Sequence, residues 1–441
     1  MWRAMRRSHR VALFPLGVAV WIAASAVAAG RASPGAWRDH LLAGRTALGD
    51  GDLVTARAEL TALDSICGGH SGAMYALAQI AARSGERNAM LRWLEDAART
   101  GLERHVADDT SFAAFANDPS LQAMAARLLD NGRAVAKAQV VTGLYDAKML
   151  PEDVVWDATG KRYLVSSIHW RKIMSVTSTG VVEDFIRPAR ADLWGIYGLA
   201  LDAARGRLWA TTAAEPSVAE YEPADSNRTA LVQFAMPDGR FVEQIELPRD
   251  GAHHVLGDLC LGPDGTVYVS ESIGGAVYRL TPGSNTLTTL VPSGTFVSPQ
   301  RPVLALDGKR LLVPDYARGI AAVTLRTGEV QWLAKPRTLA SGGIDGIYAL
   351  GADLIAIQNG TTPHRVLALD LDAAQTKITS WRVLEQASPD LGEPNHGVLV
   401  GRDFTFIGNS GWDRVGAADT LVTPPGTAPP VLLKLEKVSP H

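Results

Sequence analysis

The sequence predicts a mainly β protein with an α-helical N-terminal domain. After about residue 140, a unit of polar residue, apolar strand, turn and second strand recurs six times, at intervals of roughly 40–60 residues. Alternating strands such as 276–280 end at clusters of Pro, Gly, Asp and Asn. Between about residues 37 and 132 the apolar period is helical instead. These spacings predict a six-bladed β-propeller behind a short helical array.

The first 28 residues have the features of an export signal. Four arginines precede an apolar stretch at 11–22, and Ala26-Val27-Ala28 is a small-x-small cleavage site. The apolar stretch is too short for an ordinary membrane span. We therefore expect a cleaved signal, no membrane span in the mature chain, and a periplasmic or secreted bacterial protein. An uncleaved anchor is the alternative.

The composition is that of an ordinary globular chain, and its charge pattern argues against one class of partner. The 441 residues carry a formal net charge of −3, with 46% hydrophobic and 20% charged residues. No run of Lys or Arg follows the N-terminus, which argues against a nucleic-acid partner. The two cysteines, Cys67 and Cys260, fall in different parts of the chain. A buried free thiol at Cys260 is favoured, and a disulfide is the alternative.

Residues 29–135 are expected to form tetratricopeptide-like helical repeats. Three positions align without gaps at an offset of 34 residues, namely Ala47, Gly51 and Leu60 with Ala81, Gly85 and Leu94. Two such units are few for an independent solenoid, so the array should pack on the propeller. It could offer a groove to a protein partner, or serve only as a scaffold or dimer contact.

The propeller, residues 136–441, should present one position of each unit to its central channel. An inner strand starts near the channel, so the residue before it faces the opening. These positions hold Glu152, Tyr197 or Gly198, Gly257, Gln300, Asp345 and Asn395. Carboxylate and amide oxygens suit a hard cation such as Ca²⁺, although Asp, Asn and Gly are also common turn residues. The run 430–435 should pair with 140–145 and close the ring.

Several segments of the propeller resemble the gluconolactonase/regucalcin family of calcium propellers, and more distantly diisopropylfluorophosphatase and paraoxonase. The segments are 152–156, 257–265, 298–300, 313–316 and 343–346. The resemblance implies a divalent ion, usually Ca²⁺, at the channel mouth. It makes Glu152, Gln300 and Asp345 the metal ligands and Asp345 also the base. Gln300 and Gly257 stand where the family has Asn; Gln keeps the amide oxygen, whereas Gly offers no side chain.

Five further side chains are candidates for catalysis or substrate binding. His254 and His396 lie at strand entrances, where a histidine could act as general base. Trp194 and Tyr197 could form an apolar wall for a ring-shaped substrate. Asp258, next to Gly257, could contact the substrate. The alternatives are hydrogen-bonded loop histidines and plain packing between blades.

These features favour an exported, metal-dependent hydrolase of lactones or related esters, acting on a small molecule at the channel mouth. The alternative is a non-catalytic binding or assembly module that uses the helical repeats and the propeller as interaction surfaces. A quinone-dependent sugar dehydrogenase is disfavoured, because the channel positions hold no basic cluster. No G-x-S-x-G or P-loop motif is present, which argues against a serine hydrolase and against nucleotide binding.

Overall fold

The computed structural model describes residues 36–177, 179–187, 193–416 and 418–439. The expected signal at residues 1–28 therefore lies outside the described residues. The helices are α1 Ala36–Asp50, α2 Leu53–Ile66, α3 Ser71–Arg83, α4 Arg87–Ala98 and α5 Pro119–Asp130. Short 3-10 helices span Val106–Asp108, Thr110–Phe115, Pro223–Asp225 and Trp412–Arg414. No helix in these ranges is long and apolar enough to cross a membrane.

Six four-stranded antiparallel sheets form the propeller, as predicted. Blade 1 has β2 Val154–Asp157, β3 Arg162–Ser167, β4 Lys172–Thr177 and β5 Val182–Ile186. Blade 2 has β6 Gly195–Asp202, β7 Arg207–Ala213, β8 Thr229–Ala235 and β9 Arg240–Glu246. Blade 3 has β10 Leu256–Leu261, β11 Val267–Glu271, β12 Val277–Leu280 and β13 Thr288–Val291.

The remaining blades follow the same order of strands. Blade 4 has β14 Val303–Leu304, β15 Arg310–Asp315, β16 Gly319–Thr324 and β17 Val330–Trp332. Blade 5 has β18 Ile344–Leu350, β19 Asp353–Gln358, β20 Arg365–Leu371 and β21 Ile378–Gln386. Blade 6 combines β22 Asn395–Val400, β23 Asp403–Gly408 and β24 Val431–Leu435 with β1 Gln139–Gly143.

The ring closes through the pairing of the two ends of the propeller. β1 pairs antiparallel with β24, with Gln139 opposite Lys434 and Gly143 opposite Val431. This confirms the predicted closure: β24 lies between β1 and β23, and β1 is the outer strand of blade 6. Apolar side chains pack between neighbouring blades, as Leu164 of blade 1 does with Leu208 of blade 2. Cys67 and Cys260 are both free thiols, as favoured over the disulfide, but Cys260 is partly exposed and not fully buried as expected.

The helices α1–α5 and the two 3-10 helices among them, residues 36–130, form the helical unit. Antiparallel pairs turn at Gly51 and Gly85, whose φ angles of 81° and 75° favour glycine. The unit packs on the propeller, as expected. Its tetratricopeptide character, and the domain limits at residues 28 and 135, stay predictions.

The helical unit lies on the face of the propeller where the inner strands begin. In an antiparallel blade, the connection between the second and third strands lies at that same end. The helical unit touches two of these connections: Arg318 stacks on Trp37, 5.4 Å away, and Glu103 donates its N–H to the Thr362 carbonyl at 2.9 Å. The Lys335 ammonium, between blades 4 and 5, donates to the Gly69 carbonyl at 2.8 Å. The helical unit is therefore a neighbour of the channel mouth.

Candidate active site

The starts of the inner strands bring a group of charged side chains to the channel. Glu152 and Asp153 precede β2, Asp258 lies in β10, Asp345 in β18 and His396 in β22. All five residues are less than a tenth exposed. The sequence predicted four of them as site residues, and the structure brings those four together.

Glu152 keeps one carboxyl oxygen free of protein donors. Its Oε2 accepts hydrogen bonds from Asn395 Nδ2 at 2.7 Å and from Trp412 Nε1 at 2.6 Å. Its Oε1 accepts none from the described residues, and the residue is 9% exposed. Burial raises the pKa of Glu152 to about 8; the charges of Asp345 and Asp258 add to this, against the opposing charge of His396. Because Oε1 has no protein donor, it is the oxygen of Glu152 that a cation could bind.

Asp345, which lies beside the His396 ring, has a similar arrangement. Its Oδ2 accepts from Asn359 Nδ2 at 2.9 Å, and Asn359 Oδ1 accepts from the Tyr316 hydroxyl at 3.0 Å. No described residue donates to its Oδ1, and the residue is 8% exposed. Burial raises the pKa of Asp345 to about 6, while the charge of His396 opposes the increase. Asn359 and Tyr316 thus fix one oxygen and leave the other for a ligand.

His396 is completely buried between two carboxylates. Its Nδ1 lies 3.0 Å from Asp258 Oδ1, and its Nε2 lies 3.2 Å from the Asp345 carbonyl and 3.5 Å from Asp345 Oδ2. Nδ1 and Oδ1 lack the alignment of a hydrogen bond, so this contact is an ion pair. Burial lowers the pKa of His396, but the charges of Asp258 and Asp345 outweigh it and raise the value to about 10. The ring is therefore charged at neutral pH.

The charge of His396 bears on its predicted role as general base. A charged imidazole has no lone pair with which to accept a proton. The geometry instead suits a positioning role, in which the ring holds the Asp345 carboxylate and the carbonyl of the same residue. Its backbone N–H also donates to the Glu152 carbonyl at 3.2 Å. His396 therefore connects the two carboxyl groups that remain accessible.

A second ion pair in the channel was missed from the sequence. Arg301 Nη1 donates to Asp153 Oδ2, which also accepts the Leu199 N–H at 2.7 Å. The Val154 N–H donates to the other oxygen of Asp153 at 2.7 Å. The guanidinium carbon lies 5.3 Å from the centre of the Tyr348 ring. The available signal was a charged residue directly after each of two channel positions, Glu152-Asp153 and Gln300-Arg301.

Gln300, which was expected to bind the metal, has another partner in this arrangement, and Gly257 has no side chain to offer. The Gln300 amide donates to Ser298 Oγ at 2.8 Å, and no hydrogen bond joins it to Glu152 or Asp345. A Cβ on Gly257 would lie 2.2 Å from Ser272 Oγ, so this hydroxyl occupies the space that a longer side chain would need. The structure thus gives a physical reason for glycine at this position.

The other predicted residues lie apart from Asp345. His254 Nε2 is 3.0 Å from Asp250 Oδ1, and its Nδ1 is 3.6 Å from Glu271 Oε2. The Glu271 carboxylate beside the ring raises the pKa of His254, and Asp250 adds to this against the effect of burial. This pairing favours the loop-histidine alternative over a catalytic role.

The two aromatic candidates for a substrate wall contribute mainly to packing. Trp194 packs on Ala214 and Ala230 and lies under the Arg228 guanidinium, 4.3 Å from the ring centre. Tyr197 is buried in an apolar cluster, and burial raises the pKa of its hydroxyl well above the usual range, with the charges of Glu215 and Glu152 adding to this. Tyr197 therefore lies near the site, whereas Trp194 contacts blade 2.

The free carboxyl oxygens are the donors that a metal ion could use. Within the described ranges, no group of three or more His, Cys, Asp or Glu is arranged to hold a metal ion. Hard cations accept carboxylate oxygens and complete their shell with water. Glu152 Oε1 and Asp345 Oδ1 are the oxygens of the site that could serve such an ion as ligands, and any further positions would fall to water or substrate.

Comparison with solved structures finds chains that are similar to this one. A provisionally named gluconolactonase is 18% identical with a TM-score of 0.47, over 68% of this chain and 93% of that chain. A gluconolactonase from Xanthomonas campestris is 15% identical with a TM-score of 0.45, over 68% of this chain and 90% of that chain.

A PQQ-bound aldose sugar dehydrogenase from Streptomyces coelicolor is also similar, at 15% identity and a TM-score of 0.46, over 69% of this chain and 98% of that chain. No family model matches the sequence. No curated protein matches it either. At these identities the similarity leaves the activity open. Gluconolactonase-like six-bladed propellers are among the structures that this chain resembles, as its motifs predicted.

Proposed function

We propose that the protein is an exported hydrolase of lactones or related esters, with a divalent cation, preferably Ca²⁺, at the channel mouth. One observation carries the proposal: Glu152 and Asp345 each keep a carboxyl oxygen without a protein donor, beside a buried and charged His396. A carboxyl oxygen that no protein group engages is available to a ligand, and Ca²⁺ is bound through carboxylate oxygens.

Glu152 and Asp345 would hold the cation, which when bound would polarise the ester carbonyl as a Lewis acid. Asn395 and Trp412 hold Glu152 through its other oxygen, and Asn359 holds Asp345. These contacts leave the two remaining oxygens directed by fixed side chains. Such preorganisation favours binding, because the side chains lose little conformational entropy when the ligand binds.

Asp345 is the group best placed to act as base. As a carboxylate it can take a proton from a water molecule whose oxygen forms the new bond to the carbonyl carbon. The ring C–O bond then breaks, and the same proton can pass to the departing alkoxide oxygen. His396 favours the ionised form of Asp345, because its charge lies 3.5 Å from Oδ2. His396 is thus a positioning residue in this proposal.

Location and domain character complete the proposal. The arginine-rich start, the apolar stretch and the small-x-small site support export to the periplasm or the medium. The 34-residue offset supports tetratricopeptide-like repeats in the helical unit.

The test combines calcium titration with a panel of lactones and esters. Calorimetry on the full-length protein should give stoichiometric Ca²⁺ binding that Glu152→Gln abolishes. Glu329→Gln, at an exposed position between β16 and β17, is the matched control and should bind like the wild type. Asp345→Asn should lower kcat at least roughly 100-fold, as expected for loss of a general base.

Each variant should be checked for an unchanged melting temperature. A folded wild-type protein that binds no Ca²⁺ and turns over nothing in the panel would contradict the proposal. That result would favour the alternative of a non-catalytic binding module.

A further inference from the structure

Two connections on the mouth face lie between the helical unit and Asp345. The first connection is residues 315–319, between β15 and β16, and it carries Tyr316. The second connection is residues 358–365, between β19 and β20, and it carries Asn359. Both residues belong to the hydrogen-bond chain that ends on Asp345.

The helical unit holds the first connection through residues adjacent to Tyr316. The Arg318 guanidinium lies between two indole rings, 5.4 Å from Trp37 of α1 and 4.2 Å from Trp332 of β17. Ala317 packs into the apolar cluster of α1–α3, and its carbonyl acts on the neighbouring His70 ring by raising its pKa against the effect of burial. The residues that follow Tyr316 are therefore anchored to the helices.

The second connection is held in the same way. Glu103 donates its N–H to the Thr362 carbonyl at 2.9 Å. Arg365 Nη1 lies 3.3 Å from the carbonyls of Thr100 and Gly101, which follow α4. Arg365 Nε also donates to Gln358 Oε1 at 2.6 Å, and Gln358 directly precedes Asn359. A fully buried arginine thus links the end of α4 to the residue beside Asn359.

The two connections pack against each other without spare volume. A Cβ on Gly360 would come within 2.6 Å of the Tyr316 ring and of the Gly343 Cα. The Gly343 N–H donates to the Tyr316 carbonyl at 2.6 Å, and the Gly360 N–H donates to the Gly343 carbonyl at 3.1 Å. A displacement of either connection must therefore move the other, because close-packed groups transmit shifts to their neighbours.

We propose that the helical unit is a structural part of the channel-mouth site. By holding both connections, it fixes Tyr316 and Asn359 as positioning residues for the Asp345 carboxylate. The inference relies on the proposed function only for what Asp345 then does. It gives the helices a structural role within the chain, whereas their sequence pattern resembles that of a partner-binding array. The Asp345 carboxylate must be oriented correctly to act as a base, because a misplaced base loses most of its contribution to the reaction rate.

Hydrogen–deuterium exchange on the full-length protein tests the inference. Tyr316→Phe removes only the hydroxyl that donates to Asn359. His70→Asn keeps an acceptor for the Ala73 N–H, which donates to His70 Nδ1 at 3.1 Å, but removes the imidazole ring that lies beside Ala317. Both variants should speed exchange of the Gly343 and Gly360 amides roughly two- to tenfold, the effect of losing one ordinary hydrogen bond.

His40→Asn is the matched control. His40 pairs with Glu59 inside the helical unit, 2.6 Å away. This control should leave the Gly343 and Gly360 amides unchanged, and strand β8 of blade 2 should stay protected in all variants. Unchanged exchange in both test variants would overturn the inference. A response to Tyr316→Phe but not to His70→Asn would overturn the part assigned to the helical unit.

Turnover separates this inference from the proposed function. If the wild type hydrolyses a lactone, Tyr316→Phe should lower kcat roughly three- to tenfold with KM unchanged, because it disturbs the orientation of the base and not the binding of substrate. An equal kcat would count against positioning. If the wild type hydrolyses nothing, the proposed function fails, and the exchange result still decides the role of the helical unit.

Discussion

The buried ion pair between Arg301 and Asp153 offers a test of how the channel is held together. Arg301→Met removes the guanidinium and keeps most of the apolar volume of the side chain. The Asp153 side chain is completely buried and that of Arg301 is 13% exposed, so solvent cannot replace the lost charge. The Leu199 and Val154 N–H groups would remain as the only hydrogen-bond donors to Asp153 among the contacts described above.

The expected loss of stability follows from the burial of Asp153. Removing one partner of a buried pair typically costs about 3–5 kcal/mol, because the other charge stays without compensation. The two backbone N–H groups that donate to Asp153 still stabilise its charge. We therefore expect a loss of stability near the lower end of this range. The double variant Arg301→Met/Asp153→Asn removes the stranded charge. It should therefore be more stable than the single variant by roughly 1–2 kcal/mol.

The pH dependence of stability gives a second test of the Arg301–Asp153 ion pair. Burial raises the pKa of Asp153 even though the charge of Arg301 opposes it. Without Arg301 that pKa must rise further. A carboxyl with a raised pKa in the folded state binds protons more readily than in the unfolded state, so folding is favoured as pH falls. The deficit of Arg301→Met relative to wild type should therefore be larger at pH 8 than at pH 5.

Chemical denaturation at 25 °C, followed by tryptophan fluorescence and circular dichroism, is the assay. Each transition should be fitted separately if the helical unit and the propeller unfold in separate steps. Arg133→Met is the control, because its ion pair with Asp130 is largely exposed and should be worth less than about 1 kcal/mol. An Arg301→Met variant as stable as the control, or a double variant no better than the single one, would refute this account of the channel.

Two further predictions concern His70 and Gly257. Burial lowers the pKa of His70 to about 4. The unfolded chain therefore binds a proton more readily, and the stability of the wild type should fall as pH decreases from about 6.5 to about 4. The loss should be at most roughly 3 kcal/mol, because the residue is partly exposed. His70→Asn should lose this dependence in denaturation curves; an unchanged pH profile would contradict the assignment. Gly257→Asn should lower stability by about 1–3 kcal/mol through overcrowding at Ser272. Ser272→Gly should restore most of it in thermal melts, and equal melting of single and double variants would exclude that cause.

The sequence by itself determined the architecture and part of the site. Strand alternation, turn residues and the length of the repeat are local properties, so six blades and the closing strand could be predicted without a structure. The same regularity placed Glu152, Asp258, Asp345 and His396 at the starts of inner strands, because a fixed unit puts equivalent residues at equivalent places.

The tertiary structure alone decided how these residues are partnered. Asn395 donates to Glu152 across 243 positions of sequence, and Arg301 to Asp153 across 148. No local pattern encodes such contacts, because they depend on the rotation of each blade about the channel. The direction of the Gln300 amide, the charge on His396 and the packing of the helical unit beside the mouth depend on the same closure. Local periodicity thus fixed which residues reach the channel, whereas the three-dimensional packing of six blades and five α-helices fixed their partners.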